Sequence, residues 1–132
     1  MLKVVNTMKM ISADNKSAER TLRDVFKKIP SLIIKSIQRE KDGIDFLVNY
    51  NLAGKKQSIL VEVKSSGQPR VAREAVNQLF RFRNAYPDAY FIFMAPYISP
   101  QTAEICAKDG VGYIDFAGNC NLSFGQVYIE QT

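Results

Sequence analysis

A mixed β-sheet with helices packed against it, an α/β arrangement, is what this chain of 132 residues predicts. Three observations point there. Residues 15–29 place apolar side chains at helical spacing, residues 43–51 and 57–64 alternate polar and apolar about a glycine turn, and Ala89–Ala95 is apolar without a break. An unbroken apolar run is the mark of a strand covered on both faces.

Each element follows from local chemistry. Ala18, Leu22, Val25, Phe26 and Ile29 form one stripe of a first helix, and Pro30 ends it. Ser31 to Gln38 is rich in isoleucine and predicts a strand, with Lys41-Asp-Gly43 as the turn into the next. Ala53-Gly54 turns that strand into a third. Ser65 to Pro69 breaks the sheet, and over residues 70–86 Val71, Ala72, Ala75, Val76, Leu79, Phe82 and Tyr86 fall on one arc of a second helix. The segment from Glu62 through Ala95 therefore reads as a crossover between parallel strands. Ser99-Pro100 opens a third helix and Gly110 closes it, and Gly112–Phe116 and Leu122–Ile129 are two further strands. The chain shows no repeat, low-complexity tract or linker, so residues 1–132 read as one domain.

Composition narrows the chemistry. There is no histidine, which excludes Ser-His and Cys-His nucleophilic sites and the usual zinc ligand set. Eighteen Lys and Arg against thirteen Asp and Glu give a charge of +5, which favours an anionic partner, nucleic acid first. Two cysteines, Cys106 on a helix and Cys120 in a turn-rich segment, fit a reducing compartment. Residues 1–10 lack the apolar stretch of a secretion signal, and no run approaches the length that spans a bilayer, so a cytoplasmic protein without a membrane partner is expected.

The hairpin about Ala53-Gly54 is where chemistry gathers. If Leu52 faces Lys55, counting back along both strands sets Asp45 opposite Glu62, and Lys64 shares their face. Two carboxylates at roughly 5 Å repel by about 3 kcal/mol at an effective dielectric of about 20. Lys64 offsets part of this, and a hard cation such as Mg2+ can offset the rest.

Helix, three strands, helix, strand, with an acidic residue on the second strand and Glu62-Val-Lys64 on the third, resembles the PD-(D/E)XK nuclease superfamily, which includes Holliday junction resolvases and RecB-type nucleases. The resemblance covers about residues 15–117 and implies a restriction-endonuclease-like αβββαβ core, here with an additional C-terminal helix and strands. Asp45 matches the metal-binding aspartate, although Gly43-Ile-Asp45 stands where Pro-Asp would be, and Glu62 to Lys64 matches E-x-K. The implied roles are metal binding by Asp45, Glu62 and the Val63 carbonyl, with Mg2+ or Mn2+ as cofactor. Lys64 would orient water or stabilise phosphate charge. Gln78 matches a glutamine that such families carry in the helix after E-x-K, and Glu19 an acidic residue of their first helix, though a salt-bridging role suits Glu19 better.

Arg70, Arg73 and Arg81 share the polar side of the second helix with Asn77 and Asn84, a stripe of donors suited to a phosphate backbone. The expected activity is metal-dependent hydrolysis of phosphodiester bonds, in DNA ahead of RNA, with a homodimer among the assemblies the resemblance allows. The alternative is a nuclease-fold module that binds nucleic acid or a partner without cutting, as one domain of a larger regulator. The strand-like ending Gln126–Thr132 fits a piece of a longer protein. Asp115 is expected to stabilise a turn or lie at the surface.

Overall fold

The computed structural model describes residues 13–132, so the reading of residues 1–10 lies outside the described residues. Helix α1 (Ala13–Lys27) is followed by β1 (Leu32–Lys41), β2 (Ile44–Leu52) and β3 (Lys55–Val63). Then come α2 (Pro69–Phe80), β4 (Tyr90–Ala95), α3 (Pro100–Lys108), β5 (Gly112–Asp115), β6 (Cys120–Phe124) and β7 (Val127–Gln131). The strands form one seven-stranded sheet in sequence order, with β3, β4 and β5 parallel and the other neighbours antiparallel.

Two tight turns fix the register of the first three strands. Asp42 and Gly43 have φ of 55° and 87°, and Ala53 and Gly54 have 52° and 80°. Both central residues at positive φ is the hairpin geometry whose twist matches the strands it joins. Leu52 consequently pairs with Lys55, as the sequence predicts, and the ladder runs regularly to Phe46 opposite Val61.

Alternation then sorts side chains onto two faces. Leu22, Val25 and Phe26 of α1 pack against Phe46, Val48, Val61, Ile92 and Met94 on one face. Ala72, Ala75, Val76 and Leu79 of α2 and Cys106 of α3 pack against Leu47, Leu60, Phe91 and Phe93 on the other. Each face is apolar, so β4 is covered on both sides and reads as a continuous apolar run. No helix among the described residues is long and apolar enough to cross a membrane.

Three expectations are corrected. The second helix stops at Phe80 rather than continuing to Tyr86. Arg81, Phe82 and Arg83 donate to Gln78, Leu79 and Phe80, a tighter turn that keeps Phe82 and Tyr86 on the apolar side after the helix has ended. The single strand expected over Leu122–Ile129 is the hairpin of β6 and β7, because Gly125, at φ 56°, lets the chain reverse. Strand β5 ends at Asp115, one residue short of the expected Gly112–Phe116, because the chain turns there.

Candidate active site

The carboxyl ends of parallel strands β3, β4 and β5 lie along one edge of the sheet, the usual place for a site in an α/β fold. Glu62 and Lys64 stand there at the end of β3, and Asp45 at the start of antiparallel β2. Leu47 and Leu60 pair directly and both belong to the α2 face, so two residues further along the same parity places Asp45 and Glu62 on that face together.

Asp45 changes the ladder where it sits. Beyond Phe46 and Val61, the Val63 N–H donates to Asp45 Oδ2 at 2.7 Å, so a side-chain carboxylate takes a strand amide. The Lys64 N–H still reaches the Met94 carbonyl at 2.9 Å, which keeps the end of β3 tied to β4. The Lys64 ammonium lies 3.4 Å from Glu62 Oε2 and 3.9 Å from Glu74 Oε1 of α2.

Burial sets the electrostatics. Glu62 is 7% exposed, and loss of water pushes its carboxyl up to about 7, with the Asp45 charge adding to the shift and Lys64 opposing it. Asp45 is raised too, chiefly by burial, against the Val63 amide, Lys64 and a hydrogen bond from Asn15, all of which favour its charged form; Glu40 adds to the rise. A buried and a half-buried carboxyl that both resist ionisation form a site that a cation would stabilise.

The donor set fits a hard divalent ion. Among the described residues no group of three or more acidic, cysteine or histidine side chains converges, so an ion here would draw on two carboxylates and complete its shell with backbone, water and phosphate oxygens. Mg2+ binds in that way.

The other predicted residues divide. Gln78 lies one turn beyond Glu74 on α2, and its Oε1 is buried without a hydrogen-bond partner among the described residues. Since Glu74 meets Lys64, the flank of α2 that carries both residues faces the Lys64 side. Arg70 and Arg81 are exposed, but Arg81 caps the end of α2, so the expected donor stripe is cut short before Asn84. Arg73 lines a cleft of about 430 Å3 between α2 and α3 with Glu104 and Lys108, off the flank of Glu74 and Gln78.

Glu19 is held by Arg39 at 2.6 and 3.0 Å and by Arg23 at 3.1 Å, and the Arg39 hydrogen bond draws its carboxyl below the usual range. It is a salt-bridging residue, though shielded at 9% exposure rather than solvated. Asp115 is buried and accepts from the Ala117 and Asn119 amides and from Asn119 Nδ2, so it organises the turn after β5. Both cysteines are buried, and burial pushes the Cys106 thiol up to about 12, which makes it an inert core group.

Sequence reasoning missed Asn15 and Glu74. The signal for Glu74 was its place four residues before Gln78 on α2; Asn15, on α1, is far from Asp45 in sequence and carried none. A cleft of about 770 Å3 lies elsewhere, between the end of α1, the β2–β3 turn and the β6–β7 hairpin. An open sheet edge suits a polymer backbone better than an enclosed cavity, so the carboxylate chemistry outweighs cleft size here.

No protein-family model and no curated protein matches the chain. Among solved structures it is similar to EndoMS in its apo form, at 16% identity and a TM-score of 0.50, over 79% of this chain and 46% of EndoMS. EndoMS in a dsDNA complex matches at 16% identity and 0.50, over 81% and 46%. The chain has the restriction-endonuclease-like fold. Its resemblance to PD-(D/E)XK nucleases thus holds for the fold, with the αβββαβ order complete from α1 to β4. The chain spans just under half the length of EndoMS, at 46%. An XisH family protein from Nostoc punctiforme aligns less closely, at 15% identity and a TM-score of 0.43, over 79% of this chain and 90% of that one.

Proposed function

We propose that the protein is a metal-dependent nuclease that hydrolyses phosphodiester bonds of DNA. The observation that carries this reading is the pair of half-buried Asp45 and buried Glu62, with the Glu62 carboxyl pushed up to about 7 and Lys64 beside it, at the carboxyl edge of the parallel strands. Two acids brought together with one of them out of water are costly to keep for structure alone. The dsDNA complex of EndoMS, a protein of similar fold, supports nucleic acid as the partner.

Asp45, Glu62 and the Val63 carbonyl would hold Mg2+ or Mn2+, which when bound polarises a phosphate and lowers the pKa of a coordinated water. The chain's own residues do the rest. The Val63 amide and Asn15 fix the Asp45 carboxylate in orientation. Lys64 presents its ammonium where negative charge develops on the phosphate. Gln78 offers an amide on the flank of α2 that faces Lys64, suited to positioning water or a phosphate oxygen. Arg70, Arg73 and Arg81 supply charge for the backbone and no base reading.

The test is cleavage of plasmid and junction DNA with Mg2+ or Mn2+ by the natural chain and by Asp45→Ala and Glu62→Ala. Both variants should lose at least about 100-fold in rate, as removal of a group that stabilises transition-state charge does. Equal cleavage by all three proteins overturns the assignment.

A second reading has its own support. Lys64 already neutralises part of the pair, and Asp45 already accepts two hydrogen bonds, so the cluster is partly compensated without an ion. The protein would then be a nuclease-fold module that binds nucleic acid without cutting. Calorimetry with Mn2+ separates the two, since a module of this kind shows no binding that depends on Asp45.

A further inference from the structure

The edge that holds the acidic pair also carries an aromatic ring left in solvent. Tyr97 is 66% exposed, and the other large apolar side chains so placed among the described residues, Ile33 and Tyr128, belong to strands β1 and β7. Tyr97 follows β4 by two residues, and its mounting is rigid. A Cβ at Gly67 would sit 1.8 Å from the Tyr97 carbonyl oxygen, so the β3–α2 and β4–α3 loops lie in direct contact. The Thr102 hydroxyl donates to the Gly67 carbonyl at 2.6 Å, and the Thr102 amide donates to Ser99 Oγ at 3.2 Å. A ring on a fixed loop loses little entropy when a ligand meets it.

Its place relative to Lys64 is bounded by the chain. Gly67 is three residues past Lys64 and touches Tyr97, and three residues span at most about 10 Å. Stacked nucleotides advance about 3.4 Å each along a strand. A phosphate held at Lys64 thus has neighbouring bases within reach of this loop. Neither α2 nor α3 has an acidic residue in its first turn, and Arg70 is exposed there, so the helix starts favour a phosphate backbone, while Glu74 in the next turn of α2 lies 3.9 Å from the Lys64 ammonium.

Resting on the nucleic-acid reading above, we propose that Tyr97 stacks on an unpaired nucleobase beside the phosphate at the acidic pair. The substrate is therefore nucleic acid that is single-stranded at this point. In a duplex each base face is covered by its neighbours, so an aromatic side chain gains a full face only from an unpaired base.

The experiment uses the full chain carrying Asp45→Asn, which prevents cutting, alone and with Tyr97→Ala or Tyr97→Phe. Fluorescence anisotropy at low salt measures binding to a single-stranded oligonucleotide and to its duplex, and a 2-aminopurine in the single strand reports stacking. Tyr97→Ala should weaken single-strand binding by about tenfold or more, the size of one lost base stack, and abolish the quenching of 2-aminopurine. Duplex binding should change by less than about twofold, and Tyr97→Phe should behave as the parent, since the face of the ring does the stacking. Single-strand binding that is unchanged in Tyr97→Ala, or lost equally for both substrates, overturns the stacking role and leaves the nuclease reading standing. Absence of nucleic-acid binding with Tyr97 intact overturns both.

Discussion

Glu62 is held where its charged form is disfavoured, and that has a measurable consequence. Below about pH 4.5 its carboxyl is protonated in the folded and the unfolded chain alike, so its contribution to stability is intact there. As pH rises the unfolded chain releases its proton first, and the folded chain keeps its own until about 7, so stability is lost across that interval. At roughly 1.4 kcal/mol for each pH unit the loss approaches about 3 kcal/mol. Glu62→Gln should therefore raise stability in urea denaturation by up to about 3 kcal/mol near pH 8 and by almost nothing near pH 4. Mn2+ should stabilise the natural protein and not this variant, by mass action on the folded state. Glu19 has the opposite sign: its carboxyl is drawn down by Arg39, so its contribution is present above about pH 4.5 and fades as pH falls. Glu19→Ala should cost about 1 kcal/mol, because Arg39 is half exposed and solvent screens the pair, and should leave Mn2+ affinity unchanged in calorimetry. That Asp45 and Glu62 share a face was legible in the sequence because a two-residue turn leaves only one register. Asn15 and Arg39 were not legible, since their partnerships depend on how α1 lies across the sheet, which no local pattern encodes.

At the scale of elements, the loops that end β3 and β4 are joined more tightly than any strand propensity shows. Gly67→Ala would place a methyl group inside the Tyr97 carbonyl, so one loop has to move. The expected loss is about 1–3 kcal/mol, the cost of overpacking, with activity falling further than stability because both loops border the site. Thermal denaturation and a cleavage assay on the same samples compare the two effects. Helices were legible from apolar spacing because α1 and α2 each bury one face. The end of α2 was not, since Phe82 and Tyr86 keep the apolar arc through a tighter turn. Likewise β6 and β7 merged into one candidate, because Gly125-Gln126 is a weaker turn signal than Asp42-Gly43 or Ala53-Gly54.

Across the whole molecule, an excess of five positive charges and the exposed Arg70 predict binding to nucleic acid that weakens steeply with salt. Removing Arg70 should weaken binding to all sequences alike and lower the slope of log affinity against log salt by about one. A flat salt response would argue against contacts with the backbone. The mixed sheet itself was legible, since only a strand buried on both sides explains Ala89–Ala95, and parallel neighbours follow from the helix between Glu62 and that run. The sheet also has two margins. At β1 the pairing slips between Ile34 and Ser36, and Lys35, Arg39, Glu40 and Lys41 line the strand, features that obstruct the addition of a foreign strand. Strand β7 is short and regularly paired, and among the described residues no strand pairs beyond it. Among the described residues the sheet thus resists a foreign strand at β1 and offers an unobstructed ladder of amides at β7, so a strand added to it would join at that one side.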